Sequence, residues 1–207
     1  MSVRIHPTAI IEEGVQIGQG AAVWDHVHIR RHATVGCECI IGEKTHIAYE
    51  VRIGNRVKIN AFVYLCTGVT IEDGVMIGAG TVFTNDRFPR ATTPDLLKLR
   101  PSAPDENTRL TLVREGATIG AGCTIGCDLT IGRFAMVGMG SVVTRSVPDF
   151  HLVMGNPAHS AGCVCRCGQV LFRFPGEPKE ANRDSTCSAC QRQYTIRAGA
   201  VFERASA

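Results

Sequence analysis

The sequence has no apolar run approaching the roughly 20 residues that a membrane-spanning helix needs. It also lacks a strong charge of one sign. Its 22 Lys and Arg stand against 19 Asp and Glu, a net charge of +3 over 207 residues. That balance is too weak and too scattered to imply a nucleic-acid partner. The opening Met1-Ser2-Val3-Arg4-Ile5-His6-Pro7 contains no apolar signal region. Without one, the ten cysteines are not expected to form a disulfide framework, and a cytoplasmic location is expected. What remains is an ordinary globular composition, 44% hydrophobic and 20% charged, in a length that suits one main domain and a small module.

Helical periodicity is absent too. From Ile5 onward every sixth residue is bulky and apolar: Ile5, Ile11, Ile17, Val23, Ile29, Val35, Ile41, Ile47, Ile53, Ile59, Leu65, Ile71, Ile77 and Phe83. The period resumes at Ile119, Ile125, Ile131, Val137 and Val143. A helix repeats near 3.6 residues and a plain strand at 2, so neither explains a period of six. A fixed hexapeptide period predicts an all-β fold, a parallel β-helix of short strands. A second small or apolar residue often precedes the aliphatic by two, as at Val27, Ala33 and Val63, and glycine often follows it, as at Gly18, Gly36, Gly54, Gly78 and Gly120. These glycines are expected to turn the corners. Three hexapeptides per coil would make a triangular prism whose coils lie about 4.8 Å apart.

The frame breaks over residues 87–112, a loop insertion that opens with Arg87-Phe88-Pro89-Arg90-Ala91-Thr92-Thr93-Pro94-Asp95. A loop this long inside a compact repeat is usually functional. The frame recovers at Gly116-Ala117-Thr118-Ile119-Gly120 and ends at Val147-Pro148-Asp149, and Met154-Gly155-Asn156-Pro157-Ala158 reads as a turn out of the solenoid. The expected organisation is a β-helix domain over 1–148, a linker over 149–160 and a separate module over 161–207.

The frame also sorts the polar residues. His28, His46 and Tyr64 each precede an inward aliphatic and lie one coil apart, so they should stack as an outward column on one face. The next corner carries Arg31, Tyr49, Thr67 and Asn85, and the preceding corner carries His26. A single such histidine would more often be a packing residue. The clustering points instead to a subunit interface that holds a ligand site.

Several stretches resemble the left-handed β-helix acyltransferases, and more narrowly the N-acetyltransferases of nucleotide-linked 3-amino sugars. They are Ile5-His6-Pro7-Thr8-Ala9, Val23-Trp24, Val27-His28-Ile29, Val82-Phe83-Thr84-Asn85-Asp86-Arg87-Phe88-Pro89-Arg90, Gly116-Ala117-Thr118-Ile119-Gly120-Ala121 and Gly155-Asn156-Pro157-Ala158. The resemblance covers about residues 3–160. It implies a homotrimer with active sites between subunits, a nucleotide-linked amino sugar against the N-terminal coils, and acetyl-CoA along the C-terminal coils. Ala121, Gly138 and Arg145 are the expected acetyl-CoA contacts. Asn85 matches the family asparagine beside the sugar amine, where it would position that amine. His28 and His46 are the alternative proton acceptors, because histidine titrates near neutrality. His26, Tyr64, Asp86 and Arg90 are candidate substrate contacts, with Arg90 suiting a phosphate or carboxylate. Anchoring of the loop is the alternative role for Asp86 and Arg90. Cys66-Thr67 stands where many relatives carry an aromatic-acidic pair. Rival readings are a different acyl transfer, a trimeric metal hydrolyase with interfacial histidines like the carbonic anhydrases of this fold, and a non-catalytic scaffold.

The tail carries Cys163-Val164-Cys165-Arg166-Cys167-Gly168 and then Cys187-Ser188-Ala189-Cys190. Two close cysteine pairs suit a tetrahedral zinc with four thiolates. Cys165, Cys167, Cys187 and Cys190 are the expected ligands of a zinc-ribbon-like module, with Cys163 spare or an alternative. Such a zinc would be structural, because four protein ligands leave no open position, and so small a module needs a staple to fold. Cys37, Cys39, Cys123 and Cys127 occupy solenoid positions as small packing residues.

Overall fold

The structure, a computed structural model, describes residues 2–101, 104, 108–176 and 178–204. Each hexapeptide forms a strand of two or three residues whose last residue is the periodic aliphatic. Because side chains alternate across a strand, that aliphatic points inward while its predecessor points out. Ile29, Ile41, Ile47, Ile59, Leu65, Ile77, Ile119, Ile125 and Ile131 are wholly buried. Burying each contributes about 1.5–3 kcal/mol.

Three parallel sheets result. The first runs from Arg4–Ile5 through Ala22–Val23, Ile40–Ile41, Lys58–Ile59, Met76–Ile77 and Thr118–Ile119 to Met136–Val137. The second runs from Ile10–Ile11 through His28–Ile29, His46–Ile47, Tyr64–Leu65, Val82–Phe83 and Thr124–Ile125 to Val142–Val143. The third runs from Gln16–Ile17 to Leu129–Ile131. The parallel β-helix expected from the sequence is therefore present, with Ile11, Ile29, Ile47 and Leu65 in one continuous ladder.

The corners differ from the expectation. The left-handed residue is the third after each aliphatic from Ile11 to Ile77: Gly14, Gly20, His26, His32, Glu38, Lys44, Glu50, Arg56, Phe62, Gly68, Gly74 and Gly80 have φ between 53° and 91°. The glycines directly after the aliphatics do not turn the chain. They let neighbouring coils touch: a Cβ on Gly78 would lie 2.4 Å from the Ala121 backbone nitrogen.

The solenoid also recovers from the loop earlier than expected. Thr111–Val113 pairs with Val69–Ile71, and Val113 is buried, so the last residues of the 87–112 stretch belong to a coil. The Arg109 amide donates to the Asn85 carbonyl (3.0 Å) and closes the base of the loop. The final coil is two residues shorter than the others, since Val147 bridges Ile131 and Val153 pairs with Val137. This shortening ends the six-residue period.

Residues 149–160, expected as a linker, are mostly strand. His151–Gly155 adds in parallel to Met136–Val137, and Ala158–Val164 returns antiparallel after a cis Asn156–Pro157 bond. Val170–Arg173 pairs with that return strand, so the hairpin extends the first sheet. Arg183–Thr186, Gln193–Arg197 and Ala200–Glu203 form a separate three-stranded sheet. Phe134 of the solenoid stacks on Phe150 (5.4 Å), which meets the buried Tyr194 of the small sheet edge-on (5.6 Å). Among the described residues no helix is long and apolar enough to cross a membrane.

Candidate functional site

The second sheet and its two corners gather His26, His28, His46, Tyr64, Asn85, Ala121, Gly138 and Arg145. His28 pairs with His46 and His46 with Tyr64, so the expected column exists. The His28 ring meets His46 edge-on at 5.2 Å, and His46 stacks nearly parallel on Tyr64 at 5.4 Å. The column continues through Val82, Thr124 and Val142. The following corner therefore stacks Arg31, Tyr49, Thr67, Asn85, Cys127 and Arg145. The preceding corner carries His26 and, further along, Ala121 beside Gly138–Gly140, with the Gly140 amide donating to the Ala121 carbonyl (2.8 Å). The residues form a stripe along the axis. Three coils, about 14 Å, separate His28 from the level of Asn85, and two coils, about 10 Å, separate His46 from it.

Asn85 follows the Val82–Phe83 strand where the loop departs, and it is half-buried. Its Nδ2 donates to the Thr67 carbonyl (3.2 Å). That bond fixes the amide plane and directs Oδ1 away from the Thr67 carbonyl. Asp86 accepts the Phe88 amide (2.8 Å) within its own loop, and Arg90 donates to the neighbouring Pro89 carbonyl (2.9 Å). Both are exposed, and these contacts are those of a folded loop. Arg145 and His26 are exposed as well. At the same corner as Asn85, burial pushes the Cys66 thiol up to about 12, so it stays protonated.

Sequence reasoning missed Glu12 and Arg30. Glu12 Oε1 lies 2.8 Å from His28 Nε2 and 2.8 Å from Arg30 Nε, and Oε2 accepts the Arg31 amide (3.0 Å). Arg30 in turn lies over the Tyr49 ring at 4.3 Å. Burial alone would raise the Glu12 carboxyl, but the His28 and Arg31 hydrogen bonds and the Arg30 charge outweigh it and hold it below the ordinary range. His46 is held below its ordinary value, first by burial and then by the charges of His28 and Arg30. Both missed residues occupy the corner position directly after an inward aliphatic, one coil apart. That spacing was the available signal.

In the tail, the sulfurs of Cys165, Cys167, Cys187 and Cys190 all lie within 4.8 Å of one another. Cys165 to Cys190 is 3.4 Å and Cys167 to Cys187 is 3.5 Å, too long for disulfides. Four thiolates about 2.3 Å from one tetrahedral ion would stand about 3.8 Å apart, so the cluster fits a zinc-sized ion. Left-handed Gly168 and Gln191 follow the second cysteine of each pair and turn the chain around the cluster. The backbone N–H of Cys190 pulls the Cys187 thiol down to about 6, with smaller help from Ala189. Cys163 is absent from the cluster and lies wholly buried among apolar residues. Among the described residues the four cysteines are the one group of three or more potential metal ligands.

The bacterial transferase hexapeptide family (six repeats) matches residues 50–85. The six-residue repeat that this family describes is thus present in those coils of the chain. A dTDP-3-amino-3,6-dideoxy-alpha-D-galactopyranose 3-N-acetyltransferase from Aneurinibacillus thermoaerophilus is 40% identical to it over 93 residues, 45% of this chain and 44% of that protein. The bifunctional protein GlmU of a Synechococcus species is 29% identical over 140 residues, 68% of this chain and 27% of that protein. Each match spans less than half the length of the curated relative. Among solved structures, a GDP-perosamine N-acetyl transferase from Caulobacter crescentus, bound to CoA and GDP-perosamine, superposes with a TM-score of 0.52 at 23% identity, covering 78% of this chain and 57% of that one. An N-acyltransferase from Bacillus cereus, bound to dTDP and coenzyme A, gives 0.51 at 21% identity, covering 80% and 85%. At these identities the two structures show that this chain shares their fold.

Proposed function

We propose that this protein is an acetyl-CoA-dependent N-acetyltransferase acting on the amino group of a UDP- or dTDP-linked 3-amino sugar, for surface polysaccharide or glycoside biosynthesis. The observation that carries the reading is the 40% identity over 93 residues to a dTDP-3-amino sugar 3-N-acetyltransferase. The stripe of residues on the second sheet supports it. Acyl transfer needs a neutral amine, an attack geometry and a path for one proton. Asn85 Oδ1 accepts an N–H of the amine and aims the nitrogen lone pair at the thioester carbonyl. The amine nitrogen forms the new C–N bond, the C–S bond breaks, and the amine proton passes to the departing CoA thiolate. Neither histidine serves as base in this scheme, because His46 lies about 10 Å and His28 about 14 Å from the Asn85 level. Cys66, held protonated, cannot serve either. The column and the Arg30–Arg31 corner instead receive the nucleotide end of the substrate, whose diphosphate suits guanidinium groups. Acetyl-CoA lies along the C-terminal coils, by Ala121, Gly138 and Arg145.

The assembly we infer is a homotrimer, which places the second sheet of one protomer against its neighbour. A structural zinc on Cys165, Cys167, Cys187 and Cys190 completes the tail, and the sulfur geometry supports it. The test is thiol release from acetyl-CoA with a panel of UDP- and dTDP-linked 3-amino and 4-amino sugars. Rapid release with a 3-amino compound is expected. Release with 4-amino compounds alone overturns the regiochemistry. Silence across the panel, from a zinc-loaded trimer, overturns the activity and favours the metal-hydrolyase or scaffold readings.

A further inference from the structure

At the junction of the solenoid, the hairpin and the small sheet, His151 is 3% exposed and both its ring nitrogens are engaged. Nε2 lies 2.9 Å from the Gly199 carbonyl oxygen, and Nδ1 lies 2.8 Å from the Ser160 hydroxyl. A carbonyl can only accept, so Nε2 carries the proton of the neutral ring. Nδ1 is then a lone pair, and the Ser160 hydroxyl must donate to it. A hydroxyl already donating to an imidazole that a third group orients is the ground state of a nucleophile–base pair.

Three further features fit that reading. Phe174 covers the imidazole at 5.4 Å. A β-bulge breaks the register between Leu152 and Val153, opposite Ser160, and bulges re-aim side chains beside functional sites. Ser160 and His151 also line a cleft of about 450 Å³ walled by Pro148, Pro178, Ala198 and Ala200. Burial lowers the His151 pKa against the opposing pull of the Gly199 carbonyl and the Asp149 charge, so the ring is neutral at neutral pH and its Nδ1 lone pair is free to accept a proton.

We propose that Ser160 and His151 form a second, separate acyl-accepting site that takes small apolar acyl groups from activated esters or thioesters. Ser160 Oγ bonds to the acyl carbon while His151 Nδ1 takes the hydroxyl proton. The alkoxide or thiolate leaves with that proton, and water later releases the acid by the same route reversed. The proline and alanine walls suit a short apolar acyl chain. The site lies outside the stripe that carries the proposed N-acetyl transfer, so the two readings stand or fall separately.

The experiment treats the full-length, zinc-loaded protein with 4-nitrophenyl acetate and, separately, an alkyl fluorophosphonate, and maps the modified residue by peptide mass spectrometry. Modification is expected at Ser160, absent in Ser160→Ala and slowed about 100-fold or more in His151→Gln, the scale of a lost general base. The labelling rate of the unaltered protein should fall on acidification with a midpoint below the ordinary histidine value, a readout independent of how His151→Gln folds. No modification, modification elsewhere, or a rate that is flat with pH would overturn the proposal.

Discussion

Glu12 shows how one side chain organises several others. Its two oxygens serve His28, Arg30 and the Arg31 amide. Its carboxyl lies below the ordinary range in the folded protein, so its stabilising effect is complete above the unfolded value of about 4.3 and fades as pH falls toward the folded value. Glu12→Gln should therefore melt below the unaltered protein at neutral pH, and the gap should close through the acidic range. A gap constant with pH would contradict the account. His46 has the opposite origin but the same sign. Burial favours its neutral ring, so the folded protein loses stability as pH falls below about 6.5, where the unfolded chain protonates first. In a histidine NMR titration, the His46 resonance should have its midpoint below that value, and a midpoint at or above it would refute the burial argument.

At the scale of the elements, two glycines two residues apart make different demands. Gly78 lacks room for a Cβ, which would strike the Ala121 backbone at 2.4 Å, whereas Gly80 has open space but a φ of 69°. Gly78→Ala should cost about 1–3 kcal/mol through overpacking, and Gly80→Ala about 1 kcal/mol through backbone conformation. Denaturant titrations that reverse this order would contradict the packing account. Phe83, 1% exposed beneath the loop base, should cost about 3–5 kcal/mol on truncation to alanine.

The six-residue period made the coils, the facing of His28, His46 and Tyr64, and the corner of Asn85 legible from the sequence, because stacking converts a fixed spacing into a column. The period could not say which corner residue turns. The turn was expected at the glycine directly after each aliphatic, whereas histidine, glutamate, lysine and arginine fill left-handed positions two residues further on. The shortened last coil erased the spacing signal, and so the strand His151–Gly155 read as a linker. Glu12 stood at a frame position that was available but unread, because its partners lie in the next coil. The grouping of Cys165, Cys167, Cys187 and Cys190 was legible from their pairing, and the exclusion of Cys163 from it needed the hairpin register that turns Cys163 into the apolar cluster.

For the whole molecule, the tail closes the open end of the solenoid. Arg166, between the two cysteines of the first pair, lies over Phe134 at 4.4 Å and reaches Glu115 of the solenoid and Glu203 of the small sheet, each at 3.7 Å. Metal loss should therefore loosen the final coil as well as the tail. One zinc per chain is expected by elemental analysis, and Cys190→Ser should abolish it and expose the amides of His151–Gly155 to hydrogen exchange. Two zincs per chain would implicate the histidine column and favour the metal-hydrolyase reading.

The central claim is that chemistry occurs at the level of Asn85 while the histidine column holds the remote part of the substrate. Steady-state kinetics of Asn85→Ala and His46→Ala with the best 3-amino nucleotide sugar test it most directly. The account predicts a fall in kcat of about 100-fold for Asn85→Ala and a raised KM with nearly unchanged kcat for His46→Ala. Loss of kcat in His46→Ala, with Asn85→Ala still active, would contradict it and return the proton to a histidine.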